Sequence, residues 1–273
     1  MIKSQIISHN EEMVVTRVRE SVEMYAKQAG EILLSFYKQT TLARSYKPDG
    51  SFATQADIAS EKYLVEKLKP LVPGAGFYAE ESGIVAGNEY EWVIDPLDGT
   101  TNFAHGVPYF CVSIALTHNK KPILGVIYQP VLKELFVAQM GKGAFLNGHT
   151  LLISQQKTMQ KALISWWSDT AVDKGKFVVD MTTKLLPYES SIRSFGASAL
   201  DIAYCAAGKL EGCFYRGAFW WDVAAGALLV AEAGGCVTTF SGGEVGPENT
   251  SFIAGNEPIY TELAQLIRSV YSV

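Results

Sequence analysis

A mixed α and β fold in two halves is what the sequence predicts. A long amphipathic helix opens the chain, short apolar strands separated by turn residues fill its middle, and strands alternate with helices through its second half. From Glu11 to Lys38 the residues Met13, Val14, Val18, Val22, Tyr25, Ala29, Ile32, Leu33 and Phe36 recur at spacings of three and four, the period of one buried helix face. An exposed loop with the turn signal Lys47-Pro48-Asp49-Gly50 follows. Thr54-x-x-Asp57 then reads as a capping box opening a second helix through Ile58, Leu64, Val65 and Leu68. Phe77–Ala79 and Trp92–Ile94 are strand-type runs, and each leads straight into acid, Glu80-Glu81 after the first and Asp95 after the second. Val112–Leu116, Leu124–Tyr128 and Glu134–Ala138 are spaced like an antiparallel meander, and Gly141, Gly143 and Asn147-Gly148 punctuate its end. A boundary is expected there, dividing residues 1–148 from 149–273. Beyond it strands are expected at Ala162–Trp166, Ser191–Phe195, Gly212–Tyr215, Val237–Phe240 and Phe252–Ala254. Helices are expected at Val172–Leu186, Ser198–Ala207, Asp222–Ala233 and Pro258–Val270.

Composition narrows the functions open to such a chain. With 273 residues, 48% of them hydrophobic and 19% charged, it can bury a sizeable core and is not a disordered segment. The formal charge of −5 and the absence of any basic block exclude nucleic acid as a main partner. Cys111, Cys205, Cys213 and Cys236 form no C-x-x-C pair and read as buried free thiols in a reducing compartment. The N-terminus has no signal-peptide pattern, and no stretch reaches the ~18 apolar residues of a membrane span. A soluble, cytoplasmic protein without a membrane partner is expected.

The chemistry gathers in Asp95-Pro96-Leu97-Asp98-Gly99-Thr100-Thr101-Asn102-Phe103. Pro96 cannot continue a hydrogen-bonded ladder, so the chain is expected to turn directly after Asp95 and bring Asp95 and Asp98 together. Two carboxylates in one small volume ask for a cation, and oxygen ligands without His or Cys favour Mg²⁺ or Mn²⁺ over Zn²⁺. Gly99-Thr100-Thr101 supplies small residues and backbone N–H groups where a helix can begin, a place suited to phosphate oxygens. His9, His105, His118 and His149 show no metal spacing and read as surface or structural residues.

That string resembles the first signature of the inositol monophosphatase family. Trp221-Asp222-Val223-Ala224-Ala225-Gly226, with Glu232-Ala233-Gly234-Gly235 after it, resembles the second, and the likeness runs from about Glu11 to the end of the chain. The resemblance implies a five-layered αβαβα sandwich of the kind shared with sugar bisphosphatases. It implies an Mg²⁺-dependent phosphomonoesterase acting on a small phosphate ester, with two or three ions, Mn²⁺ as a substitute, sensitivity to lithium, and a homodimer. Glu80, Asp95 and the Leu97 carbonyl would hold one ion, Asp95, Asp98 and Asp222 a second, and a weaker third would lie near Glu80. Attack on the phosphate would be in line, by a metal-activated water that Thr100 and Asp57 orient or deprotonate, with Glu81 as support behind the ligands. Gly99 and Thr100 N–H groups would bind the phosphate, and the substrate would lie against Leu97, Asp98, Ser198, Asp222 and a loop carrying Lys47. On the residues alone, Asp57 reads equally as a helix cap and Lys47 as an ordinary loop lysine.

The family pattern breaks at Phe214-Tyr215-Arg216-Gly217, where Arg216 stands at the place of a glutamate that accepts hydrogen bonds from ring hydroxyls. A guanidinium only donates, so the sequence suggests a substrate with a second anionic group. The relatives of that kind are a fructose-1,6-bisphosphatase, a 3′(2′),5′-bisphosphate nucleotidase or an NADP phosphatase. The other reading of Arg216 is an outward surface charge. A histidinol phosphatase, and a non-catalytic protein-binding regulator on the same fold, are the remaining alternatives.

Overall fold

Ser8 and Glu11 start the first helix by exchanging hydrogen bonds. The Glu11 N–H donates to Ser8 Oγ at 3.3 Å and the Ser8 N–H to Glu11 Oε2 at 2.7 Å, which satisfies two N–H groups that the helix start leaves over. The resulting α1 (His9–Phe36) buries Val15, Val18, Val22, Ala26, Ala29 and Leu33, while Met13 stays 53% exposed, so the buried stripe is rotated from the one expected. The computed structural model describes residues 7–38, 44–46, 52–168 and 174–271. Lys47 and its turn lie outside the described residues, as does the expected helix start at Val172.

Two short strands, β1 (Arg44–Tyr46) and β2 (Phe52–Thr54), pair antiparallel and lead into α2 (Gln55–Leu68). Its capping box is the expected one: Thr54 Oγ1 accepts from the Ala56 N–H at 3.2 Å, and Asp57 Oδ2 from the Thr54 N–H at 2.8 Å. The chain then builds β3 (Gly76–Ala79), β4 (Gly83–Val85), β5 (Tyr90–Asp98), the one-turn α3 (Thr100–Ala104) and β6 (Cys111–His118). Next come β7 (Lys121–Gln129), β8 (Glu134–Gln139), β9 (Gly143–Leu146) and β10 (His149–Thr150). The first sheet has the order β10-β9-β8-β7-β6-β5-β3-β4, and of its pairs only β3–β5 is parallel. The meander read from the sequence is its centre.

The second half runs β11 (Leu163–Ser168), α4 (Lys174–Leu185), β12 (Ser191–Arg193), α5 (Ser198–Ala206), β13 (Gly212–Arg216), α6 (Trp220–Glu232), β14 (Cys236–Thr238), β15 (Ser251–Gly255) and α7 (Glu257–Val270). Its sheet has the order β12-β11-β13-β15-β14, with β12, β11 and β13 parallel and β14–β15 and β13–β15 antiparallel. Helices α1 and α2 cover one face of the first sheet, α5 and α6 lie between the sheets, and α4 and α7 cover the outer face of the second. That stack is the αβαβα sandwich.

The layers meet closely where side chains are small. A Cβ on Gly125 of β7 would lie 2.7 Å from the Ala225 carbonyl oxygen of α6, so glycine lets the helix rest on the sheet. The main core spans α1, α2, the first sheet, α5 and α6. A smaller one, with Trp166, Phe177, Met181, Phe214, Phe240 and Leu263, fills the space under α4 and α7. All four cysteines are buried thiols.

Candidate active site

Strand β5 does not stop at Asp95. It continues through Pro96 and Leu97 to Asp98, and its pairing with β6 slips there: Asp95 faces Ser113 while Asp98 faces Cys111, three residues against two. This corrects the expected turn, and the reason is physical. Side chains alternate along a strand, so residues three apart point to opposite faces; the extra residue of a bulge returns both carboxylates to one face. Proline is tolerated because the bulge asks no ladder hydrogen bond of it. Gly99 follows with φ of +88°, a left-handed turn that opens α3, and a Cβ on it would lie 2.9 Å from the Tyr109 carbonyl oxygen.

Helix α6 supplies the third carboxylate. Asp222 is its third residue, since the helix begins at Trp220, two positions before the expected start, and it accepts from the Phe219 N–H at 2.6 Å through Oδ2. Trp221 beside it stacks on Phe219 and tilts against Tyr78 of β3, which braces the entry to the helix. Asp95, Asp98 and Asp222 bring carboxylate oxygens within 4.8 Å of one another. Among the described residues no lysine or arginine forms an ion pair with any of them. Two ionised carboxylates 4.8 Å apart repel by about 3 kcal/mol at an effective dielectric near 20. The group therefore holds protons or a cation. Burial and the neighbouring charges of Glu80, Asp98 and Asp222 push the Asp95 carboxyl well up. Desolvation and Asp98 do the same for Asp222.

Asp98 is held differently. Its Oδ1 accepts from the Ser198 N–H at 3.0 Å and its Oδ2 from the Leu200 N–H at 3.2 Å and Cys111 Sγ at 3.5 Å. Burial raises its carboxyl only to about 6, because these donors in the first turn of α5 favour the anion. Asp95 accepts from the Leu97 N–H at 2.9 Å. The donor set is all oxygen and anionic, which fits Mg²⁺ or Mn²⁺ and does not suit a softer ion.

Glu80 follows β3, its N–H on the Ile94 carbonyl at 3.2 Å, near enough to raise both Asp95 and Asp222 although its carboxylate is not one of the close three. Thr100 Oγ1 is 3.0 Å from both Asp57 Oδ1 and the Leu97 carbonyl, and its one proton serves one of them at a time. Asp57 is thus both the helix cap and the partner of Thr100. Burial lifts its carboxyl to about 6, Thr54 opposing and the Glu81 charge adding. Ser198 meets Asp98 through its backbone N–H at 3.0 Å and its Oγ at 3.5 Å. Arg216 is not brought to the group. Phe214 and Arg216 face the outer layer, and the guanidinium carbon lies 5.4 Å from the Phe177 ring centre and 4.8 Å from that of Tyr271. Tyr215, on the other face of β13, is the one that turns inward, onto Asp201.

Three groups escaped the sequence reading. Glu61 of α2 accepts from the Glu81 and Ser82 N–H groups at 2.8 and 2.7 Å and so shapes the turn that carries Glu80. A signal was present: Asp57 and Glu61 are like charges one helical turn apart, a pairing that destabilises a helix unless each carboxylate has its own partner. Asn102 Nδ2 donates to the Tyr109 carbonyl at 2.9 Å and the Phe195 carbonyl at 2.6 Å, joining the two halves. Asp201 is an acid inside the apolar run Ala199-Leu200-Asp201-Ile202-Ala203, and it is fully buried.

With this geometry, residues 15–272 match the inositol monophosphatase family. The chain belongs to the inositol monophosphatase family. An inositol-1-monophosphatase of Mesorhizobium japonicum is 38% identical over 90% of this chain and 94% of its own. A protein of Pseudomonas aeruginosa named Nus factor SuhB is 38% identical over 89% of this chain and 93% of its own. The crystal structure of the extragenic suppressor protein SuhB from Bartonella henselae superimposes with a TM-score of 0.89 at 36% identity, covering 93% of this chain and 99% of that one. The fold is the family's, and the chain is a phosphatase of this family, a phosphoric monoester hydrolase acting on a small phosphate ester. No helix among the described residues is long and apolar enough to cross a membrane.

Proposed function

We propose that this phosphatase is an Mg²⁺-dependent inositol monophosphatase. The observation that carries the reading is the trio of Asp95, Asp98 and Asp222, oxygens within 4.8 Å and without a paired cation among the described residues, in a chain whose relatives bear that name. Glu80, Asp95 and the Leu97 carbonyl would hold one ion and Asp95, Asp98 and Asp222 another, with Mn²⁺ able to replace Mg²⁺. When bound, such ions supply Lewis acidity to the phosphoryl group and make a water acidic enough to attack near neutral pH. Thr100 would orient the attacking water: with the Leu97 carbonyl given to an ion, the Thr100 proton would go to Asp57 and leave the hydroxyl oxygen to accept from the water. Asp57, its carboxyl near 6, is half ionised in mildly acid solution and takes up the proton Thr100 passes on. Gly99 and Thr100 N–H groups, at the start of α3, receive the phosphate oxygens, and Glu81 supports the turn through Glu61. Lys47 would add a positive charge from its loop.

With Arg216 stacked in the outer layer, no described residue of this site speaks for a second anionic group on the substrate, which favours a monophosphate. Phosphate release from inositol 1-phosphate, fructose 1,6-bisphosphate, 3′,5′-bisphosphoadenosine, NADP and histidinol phosphate, with Mg²⁺ and with EDTA, tests this. Turnover with Mg²⁺ alone and fastest on inositol 1-phosphate is expected; fastest turnover on a bisphosphate overturns the substrate, and turnover in EDTA the metal. A homodimer in the cytoplasm completes the reading, sedimentation being the check on the dimer. The Nus factor name of the Pseudomonas relative supports a second, protein-binding role. A partner retained from lysate by the inactive Asp95→Asn variant as well as by wild type would establish it; none retained by either removes it.

A further inference from the structure

Asp201 lies one turn into α5 and is fully buried, yet it touches none of the three clustered carboxylates. It accepts hydroxyl hydrogen bonds from Tyr109, Ser165 and Tyr215, which belong to the loop before β6, to β11 and to β13. One carboxylate thus ties α5 to both halves of the molecule. The same Tyr109 is bound a second time: its carbonyl accepts from Asn102, which also holds the Phe195 carbonyl, and its ring stacks on Phe195 at 4.8 Å. Phe195 leads into the first turn of α5, whose Ser198 and Leu200 N–H groups hold Asp98. At Asp98 the Ser198 N–H and Oγ, the Leu200 N–H and Cys111 Sγ all donate to the carboxylate, so the first turn of α5 sets its orientation. A buried charge is costly unless its network is satisfied, and a satisfied network fixes position.

We propose that Asp201 is a positioning residue of the active site: it fixes the first turn of α5 so that the Asp98 carboxylate is held in one orientation toward a cation. The proposal rests on the metal-dependent reading above. Removing groups that orient a ligand costs about 10- to 100-fold in metal affinity or rate. The test compares wild type with Asp201→Asn, Asp201→Ala and Tyr109→Phe, the last keeping the ring on Phe195 and deleting only the hydroxyl. Mn²⁺ binding is followed by electron paramagnetic resonance without substrate, kcat and KM by phosphate release at saturating Mg²⁺, and folding by Tm. Asp201→Asn and Tyr109→Phe are expected to raise the Mn²⁺ Kd about tenfold and lower kcat about tenfold at unchanged KM. Asp201→Ala is expected to lose more, since asparagine keeps one acceptor oxygen. A residue that only fills space would lower Tm and leave the Kd of the folded fraction alone. Either Asp201→Asn or Tyr109→Phe, folded and within twofold of wild type in both Kd and kcat, overturns the proposal; where Asp201→Asn does not fold, Tyr109→Phe decides. A wild-type chain that binds Mn²⁺ with the expected mutant shifts but releases no phosphate counts against the proposed function alone, and one that binds no Mn²⁺ counts against both.

Discussion

Asp95 is the residue on which rate and stability pull in opposite directions. It is 2% exposed, beside Asp98 and Asp222, with its carboxyl pushed well up by burial and by their charges. Asparagine keeps the shape and one acceptor oxygen but cannot become an anion. Asp95→Asn is expected to remove nearly all turnover and to raise the Tm of the metal-free protein at pH 8 by several degrees, since it removes a buried carboxyl that must either keep a proton or ionise beside Asp98 and Asp222. Phosphate release and a melt in EDTA check both halves; an unchanged or lower Tm contradicts the electrostatic account. Arg216 is the contrasting case. Arg216→Met is expected to leave the order of substrates unchanged and to cost about 1 kcal/mol of stability through the lost cation contacts with Phe177 and Tyr271, read from a denaturant melt. The carboxylates were legible in the sequence because their spacing and neighbours carry chemistry. Arg216 was not, because its role turns on strand parity: Tyr215 and Arg216 are adjacent in sequence and face different layers, and no composition reveals which faces which.

Among the elements, the bulge in β5 and the glycine after it do most to build the site. Strand type at Trp92–Ile94 follows from apolar, β-prone residues, and the structure has it. Pro96 suggested that the strand ends; a proline at a bulge gives the same local signal as a proline at a strand end, and only the pairing with β6 tells them apart. Helices α1 and α2 were legible from periodicity and capping residues, whereas β4, β9 and β10 are two to four residues long and carry too few side chains for a period. Gly99 carries the element-scale prediction. With φ at +88° and the Tyr109 carbonyl 2.9 Å from any Cβ, Gly99→Ala is expected to cost about 1–3 kcal/mol and to lower kcat more than tenfold, since it displaces Asp98 and Thr100 together. Gly148, also at positive φ but with open space around it, is the control: Gly148→Ala should lose stability from backbone strain alone and keep its turnover. Equal losses of rate in the two variants would show that the Gly99 turn does not position the site.

At the scale of the whole molecule the site is a place where layers meet: Asp95 and Asp98 from the first sheet, Asp222 from α6, and the donors that hold Asp98 from α5. The mixture of helices and strands was legible in the sequence. The order of the layers was not, since α5 and α6 come late in the chain but lie between the sheets, a non-local outcome of packing. Burying so many acids in one region gives the metal-free protein a definite response to pH. Asp57 and Asp98 ionise near 6 and Asp201 near 7, and Asp95 and Asp222 are pushed well up, all from an ordinary value of 3.8 and chiefly by burial. Below about pH 4 folded and unfolded chains are both protonated at these groups, so the folded state bears no penalty. As pH rises toward 7 the unfolded chain has ionised freely while the folded one still holds protons, and stability falls. A shift from 3.8 to about 6 is worth on the order of 3 kcal/mol per group. In EDTA, Tm is therefore expected to drop steadily between pH 5 and 7.5, above the range in which the lowered carboxyl of Glu11 acts with the opposite sign. Saturating Mg²⁺ binds the ionised forms of Asp95, Asp98 and Asp222 and should remove their share of the slope, leaving that of Asp57 and Asp201. Asp201→Asn should then flatten the Mg²⁺ curve further. Melting curves at four pH values with and without Mg²⁺ check this, and a Tm in EDTA that rises with pH would mean that the buried acids are not protonated in the folded chain.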